Sequence, residues 1–377
     1  MPSLIALDLA GGPLFVETLQ RIWDEGHAVL PVDQRLPHGA KKQLIESMRP
    51  QRVVDDQGSQ LLDNAQPVEP GDALVMATSG STGEPKGVVL THNAVEASAL
   101  ASSQALDADA TDHWLACLPV AHIGGLSVIT RALLTGIPVT VLPAFDAERV
   151  TALSHECTLT SLVSTALRRI DARLFRQILL GGGRPPADRP ANTVATYGLT
   201  ETGSGVVYDG FPLPGVEISI AADDEILVRG PMVMRTYRDG TTSIDAQGWL
   251  HTNDLGSLQP DGQLQVAGRR GDVINSGGQK IWPDAIEAVL SSALPTSEFC
   301  VVGIPDEEWG ESVVLVTTNA DLTLDLVRGI VKDSLAPYCA PRQLHVVSQI
   351  ERTALGKVRR AEIRQQLLGL ELKNPQL

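Results

Sequence analysis

Apolar positions in the first half of the chain gather into short β-branched runs: HAVLPVD (27–33), DALVMATS (72–79), PVTVLP (138–143), LTSLVST (159–165), RQILLGGG (176–183) and TVATYG (193–198). Runs of this length, bounded by Gly, Pro, Asp or Asn, read as strands. Between several of them the apolar spacing becomes helical, in HNAVEASALASSQAL (92–106) and LSVITRALLTG (126–136). Strand–helix alternation predicts an α/β domain on a largely parallel sheet. From about residue 205 the texture changes, and GVEISIAADDEILVRGPMVMRTY (215–237) predicts short antiparallel strands with turns at Asp-Asp and Gly-Pro. After Gly271 a second alternation begins. PDAIEAVLSSAL (283–294) and LDLVRGIVKDSL (324–335) predict helices, and EFCVVGIP (298–305), SVVLVTT (312–318) and RQLHVVS (342–348) predict strands. The expected architecture is α/β: a large domain over 1–270 with mainly parallel sheets and a small antiparallel β part, then a small α+β domain over 271–377.

Composition narrows the partners. The chain has 377 residues, 43% hydrophobic, with a net charge of −15. A polyanion is a poor ligand for nucleic acid or an anionic membrane surface. No apolar run is long enough to span a bilayer. The first residues lack a basic stretch, and Asp8, Gly11, Gly12 and Pro13 break their apolar run, so no signal peptide is expected and a cytoplasmic location is. Cys117, Cys157, Cys300 and Cys339 are far apart and mostly in apolar surroundings, as buried thiols are.

The stretch TSGSTGEPKG (78–87) follows an apolar strand and surrounds one cation with hydroxyls and glycines. Glycines let backbone N–H groups turn toward a ligand, the hydroxyls of Thr78, Ser79, Ser81 and Thr82 add donors, and Lys86 adds a point charge. That is the composition of an anion cradle. It is not a Walker A loop, because Pro85 stands where that motif needs glycine and Gly87 where it needs Ser or Thr.

With this loop the chain resembles the adenylate-forming acyl- and aryl-CoA ligases, the family of firefly luciferase and of peptide-synthetase adenylation domains. Further motifs follow in that family's order: YGLTETG (197–203), GWLHTNDLG (248–256), GRRGDVINSGGQKIWPDAIE (268–287) and ERTALGKVRR (351–360). The resemblance implies ATP, Mg²⁺ and coenzyme A as cofactors or co-substrates and a small-molecule carboxylic acid as substrate. It assigns Thr78, Ser79, Gly80, Ser81, Thr82, Gly83 and Lys86 to the phosphates, and Gly181, Gly182 and Gly183 to close approach of adenine. Tyr197 and Gly198 belong to the adenylate motif. Thr200 is placed on the α-phosphate and Glu201 on the metal, a carboxylate that suits a triphosphate only with a divalent cation between them. Asp254 would accept both ribose hydroxyls in a fork, with Arg269 beside it. Lys357 would bridge carboxylate and α-phosphate as negative charge gathers in the transition state. The C-terminal domain would be mobile about Gly271.

His122, Gly124 and Gly125 in LPVAHIGGLSVITRALLTG (118–136) resemble the segment lining the acyl site. Arg131 follows one helix face on from Gly124. A buried guanidinium needs an anion, which a second carboxylate on the acid, a protein carboxylate or solvent exposure would satisfy. The segment is most similar to the o-succinylbenzoate-activating branch of the family, in menaquinone synthesis. A carrier-protein thiol in place of CoA, another carboxylic acid, and a degenerate nucleotide-binding module are the alternatives. Relatives carry a longer region before the phosphate loop, so part of an N-terminal subdomain is expected to be absent, with a second copy of the chain, a homodimer, as one candidate cover.

Overall fold

A computed structural model describes residues 1–79, 85–186, 188–352 and 358–371. Strands alternate with helices as the apolar pattern dictates. In chain order they are β1 (Leu4–Leu7), α1 (Pro13–Asp24), β2 (Ala28–Pro31), α2 (His38–Met48), β3 (Arg52–Asp55), β4 (Gly58–Leu61), β5 (Asp72–Ser79), β6 (Pro85–Thr91), α3 (His92–Ala105), β7 (Trp114–Ala116), α4 (Ile123–Thr135) and β8 (Val139–Val141). Next come α5 (Ala147–Leu153), β9 (Leu159–Val163), α6 (Ser164–Leu167), β10 (Gln177–Gly181), β11 (Thr193–Leu199), β12 (Ser204–Tyr208), β13 (Phe211–Pro212), β14 (Glu217–Ile220), β15 (Glu225–Arg229), β16 (Thr236–Tyr237), β17 (Leu250–Leu258) and β18 (Leu264–Arg269). The rest are β19 (Ile274–Ser276), β20 (Gln279–Ile281), α7 (Pro283–Ala293), β21 (Phe299–Asp306), β22 (Gly310–Thr317), α8 (Leu324–Ser334), β23 (Gln343–Val346) and α9 (Arg360–Glu371).

The chain forms two compact units: Met1–Ser219 with Leu227–Thr252 and Gly262–Leu264, and Ile220–Ile226 with Asn253–Asp261 and Gln265–Leu377. In the first unit one sheet runs β16-β6-β5-β2-β1-β3-β4 and another β13-β12-β11-β10-β9-β7-β8. Pairing is parallel among β1, β2, β3 and β5 and among β7 to β11, and antiparallel toward the sheet edges. Parallel strands covered on both faces read as near-continuous apolar runs, which is why DALVMATS and LTSLVST look as they do. Leu4, Leu30, Val75 and Val89 pack one core, and Leu115, Leu162, Ile178 and Leu180 another.

A four-stranded sheet runs β14-β15-β17-β18. In the second unit β19 to β23 form a further sheet, where α7 and α8 close one core on Ile286, Leu290, Val327 and Val331, and α9 closes another through Ile363 and Leu367. No described helix is long and apolar enough to cross a membrane.

Some local expectations shift. GPMVMRTY yields a strand only at Thr236–Tyr237, because Val233 N–H turns back to the Gly230 carbonyl at 3.2 Å and buries Met232 and Met234 from irregular backbone. α4 starts at Ile123, ahead of the apolar periodicity, with Gly124 and Gly125 in its first turn. Cys117, Cys157 and Cys300 are buried, whereas Cys339 is half-buried.

Candidate functional site

The phosphate-loop residues Thr78 and Lys86 face each other across the β5–β6 hairpin. Thr78 Oγ1 donates to the Lys86 carbonyl at 3.3 Å. Gly80, Ser81, Thr82 and Gly83 lie outside the described residues, and Ser79 is described only as the last residue of β5. Gly87 serves packing: a side-chain carbon there would meet Met48 Sδ at 2.6 Å and Val75 at 2.8 Å.

The ammonium of Lys86 lies 5.0 Å from the ring centre of Tyr237. The same tyrosine donates its hydroxyl to Glu201 Oε1 at 2.9 Å. Tyr237 reaches this position because β16 pairs with β6, Tyr237 opposite Val88. Lys86 and Glu201, far apart in sequence, therefore meet on one aromatic ring that sequence reasoning did not single out. Thr200 and Glu201 sit in a short 3₁₀ turn after β11, closed by Gly203 at φ 68°. The Glu201 carbonyl accepts from Met234 N–H at 2.7 Å, so the turn is pinned from a second side.

Tyr197 and Gly198 lie on β11 at a bulge against β12. A side chain at Gly198 would meet the Ser204 carbonyl oxygen at 2.2 Å, so strand pairing alone demands glycine there. Gly181 ends β10, where an added carbon would meet Thr196 Oγ1 at 2.9 Å, Gly182 takes φ 80°, and Gly183 is open. The open face at Gly183 is the part of this triplet that packing does not explain.

His122 caps the start of α4 but makes no side-chain bond to the helix. Its Nε2 lies 3.0 Å from Arg35 Nη2 and 3.3 Å from Asp33 Oδ2. Burial and the Arg35 charge lower its pKa, and Asp33 opposes them. Gly125 is packing-bound, since a side chain would strike the Pro119 and Leu118 carbonyl oxygens at 2.4 and 2.5 Å, while Gly124 is exposed.

Arg131 is 1% exposed. Its Nε donates to Ser102 Oγ at 2.6 Å, its guanidinium lies 4.8 Å from the Trp114 ring centre, and Nη1 has no hydrogen-bond partner among the described residues. Among the described residues no carboxylate meets it, and it is not solvent-exposed. Desolvation pushes its pKa down. Arg238, the other buried arginine of this unit, is by contrast satisfied by the Met48, Gln66 and Pro67 carbonyls.

In the second unit Asp254 is 7% exposed on β17, and its Oδ1 accepts from Arg269 Nε at 3.1 Å. Asn253 takes φ 57°, a left-handed conformation Asn tolerates well, and its N–H donates to Glu225 Oε1 at 2.8 Å. Lys357 lies outside the described residues. Among the described residues no cluster of three or more His, Cys, Asp or Glu is arranged to hold a metal.

Comparison with known proteins puts this arrangement in context. Residues 16–238 match the AMP-binding enzyme family and residues 285–357 the AMP-binding enzyme C-terminal domain. The chain is 35% identical over 333 residues to the 2-succinylbenzoate–CoA ligase of Bacillus anthracis (strain A0248), covering 77% of this chain and 69% of that one. It is 37% identical over 328 residues to the 2-succinylbenzoate–CoA ligase of Listeria monocytogenes serotype 4b (strain F2365), covering 78% and 70%. The o-succinylbenzoate CoA synthetase (MenE) from Bacillus subtilis, in complex with the acyl-adenylate intermediate OSB-AMP, superimposes with a TM-score of 0.85 at 28% identity over 96% of this chain and 88% of that one. ATP-bound MatB from Rhodopseudomonas palustris shares the fold at a TM-score of 0.85 and 21% identity, over 98% and 90% of the two chains.

Proposed function

The chain belongs to the AMP-binding enzyme family, and from that premise we propose that it is an AMP-forming acid–CoA ligase whose acid is o-succinylbenzoate. The observation that carries the chemistry is the meeting of Lys86 and Glu201 on Tyr237 beside the phosphate hairpin. In the first half-reaction a carboxylate oxygen of the acid attacks the α-phosphorus of ATP, the bond to pyrophosphate breaks, and an acyl-adenylate forms. In the second, the thiol of CoA loses its proton and attacks the acyl carbonyl, and AMP leaves with the electron pair of the mixed anhydride.

Lys86 offsets phosphate charge, Thr200 donates to the α-phosphate, and Lys357 stabilises the charge gathering between the two anions as they react. Asp254, with Arg269, orients the ribose. A single carboxylate, Glu201, among hydroxyls and a lysine suits Mg²⁺, which takes one or two carboxylates and fills its remaining positions with phosphate oxygens and water. When bound, that ion neutralises triphosphate charge. Residues 271–377, turning about Gly271, form the mobile domain in the same proposal.

The choice of acid rests on Arg131. It is a desolvated cation without a carboxylate partner among the described residues, on the helix that His122 begins, and electrostatic interactions strengthen in such low-dielectric surroundings. A diacid can activate its aliphatic carboxylate and set its aromatic one against this charge. Both relatives named above as 2-succinylbenzoate–CoA ligases support the same substrate. A pyrophosphate-release screen over a panel of acids tests the proposal: o-succinylbenzoate should give the highest kcat/KM. Activity confined to a monocarboxylate would reject the substrate and keep the ligase chemistry.

A further inference from the structure

We infer that Asp33 and Arg35 are positioning residues for His122, holding its imidazole neutral with the ring proton on Nδ1. The contact joins loops that follow strands of two different sheets of the first unit. Asp33 and Arg35 lie in the loop between β2 and α2, and His122 lies between β7 and α4. Nothing in the local sequence of either segment announces the contact.

The geometry decides the tautomer. Asp33 is 8% exposed, and Arg35 grips it tightly. Arg35 N–H and Nε donate to Asp33 Oδ1 at 3.0 and 2.9 Å, and Nη2 donates to Oδ2 at 2.8 Å. The same Nη2 lies 3.0 Å from His122 Nε2. A guanidinium has donors and no acceptor, so this contact is a hydrogen bond only when Nε2 presents its lone pair. The neutral ring then carries its proton on Nδ1, the position set by what the other nitrogen does.

Protonating Nε2 would aim a second donor at the Arg35 donor. The new N–H would find an acceptor in the cluster, Asp33 Oδ2 at 3.3 Å, shared with Arg35 Nη2. Charging His122 thus gives up the hydrogen bond from Arg35 and sets a second cation beside its guanidinium. Asp33 and Arg35 are the charged groups that bear on the ring, and they pull in opposite directions, with burial siding with Arg35. Because the α4 helix takes no cap bond from this side chain, the ring orientation is set by the two loop residues instead. His122 serves the acid site as a neutral Nδ1–H donor and not as a cation competing with Arg131 for the carboxylates; this functional part rests on the ligase proposal.

The fork makes opposite predictions for its two members. Arg35→Met removes the donor to Nε2 and leaves Asp33 free to accept from a charged ring, so the His122 pKa should rise by ~1 unit or more. Asp33→Asn removes the carboxylate that favours the charged form, so the pKa should fall. The measurement is a pH titration of ¹⁵N-histidine-labelled full-length protein by NMR, with the His122 signals assigned from His122→Asn. In the wild-type protein, which needs no variant to fold, Nε2 should show the shift of an unprotonated nitrogen at neutral pH. An Nε2–H tautomer there would overturn the inference, as would shifts of the same sign in both variants. In the kinetic arm, the acidic limb of kcat/KM for the acid should move up with Arg35→Met and down with Asp33→Asn, with the KM for ATP unmoved. A merely structural loop would change both KM values and leave the limbs in place. A wild-type protein inert toward every acid but with the expected tautomer would reject the ligase proposal and leave the assignment of the ring standing.

Discussion

Tyr237 joins two of the residues proposed to serve the nucleotide. Its hydroxyl holds Glu201 at 2.9 Å and its ring faces Lys86. Tyr237→Phe keeps the ring and loses a hydrogen bond to a charged group, a net loss of about 1.5–3 kcal/mol. The expected result is a fall of roughly tenfold or more in kcat/KM for ATP with the KM for the acid little changed, and a larger fall for Tyr237→Leu, which loses the cation–π contact as well. Equal effects on both substrates would assign Tyr237 to general packing. Arg131 makes an unusual prediction. Because it is desolvated with Nη1 unpartnered, Arg131→Met should leave Tm unchanged or raised, since a buried unsatisfied donor disappears. The same variant should lose discrimination between o-succinylbenzoate and a monocarboxylate of similar shape. Losing the charge partner of a buried carboxylate costs about 3–5 kcal/mol, a factor of at least a hundred in relative kcat/KM. Equal loss on the two acids would make Arg131 structural. At this scale the sequence singled out Lys86, Glu201, Asp254 and Arg269 as candidates for the chemistry, because each sits in a motif with its own composition. It did not show Tyr237, Asp33 or Arg35. Their partners are 36, 89 and 87 positions away, and the contacts exist only once sheets have paired. Gly125 and Gly198 also have a packing reason, since backbone oxygens nearby leave no room for a side chain.

Among the elements, α9 shows how the chain end is secured. Arg360, its first residue, donates to Glu287 Oε2 at 2.6 Å, to Asp284 on α7, and to Asp272 at 3.5 Å beside Gly271. One guanidinium serving several carboxylates leaves their charge incompletely answered. Burial is the larger influence on Glu287 and pushes its carboxyl from 4.5 to about 7, with Asp284 adding in the same direction and Arg360 opposing. The linkage sign follows. Between these two values the folded protein holds a proton that the unfolded chain has released, so this group's contribution is full below the lower value and is lost as pH rises through the upper one. Glu287→Gln carries no such proton, so the stability difference, wild type minus variant, should shrink or reverse on going from pH about 5 to about 8 in urea unfolding. An unchanged difference would show that Glu287 is ionised throughout. α9 and the strongly amphipathic α1 went unpredicted, as did β1 and the β3–β4 hairpin, whose strands are only four residues each. The strands β5, β21 and β22 were legible because each is long enough for its pattern to show, and α3, α7 and α8 because helical spacing of apolar residues follows a recognisable strand or turn.

For the molecule as a whole, the account rests on two successive half-reactions that a single substitution should separate. Lys357→Ala should cut acyl-adenylate formation by about 10²–10³ and spare thioester formation from adenylate supplied ready-made. Loss in both steps would remove Lys357 from the first. An acidic chain, −15 overall, opposes polyanionic ATP with its own field, so in the proposed reaction Lys86 and Lys357 matter more than they would in a basic protein. The most direct measurement is mass spectrometry of the full-length protein incubated with Mg-ATP and o-succinylbenzoate, first without and then with CoA. Enzyme-bound o-succinylbenzoyl-AMP and pyrophosphate in the first sample, chased to the CoA thioester and AMP in the second, is the predicted result. Release of ADP and phosphate, or thioester formation with no adenylate and no AMP, would contradict it.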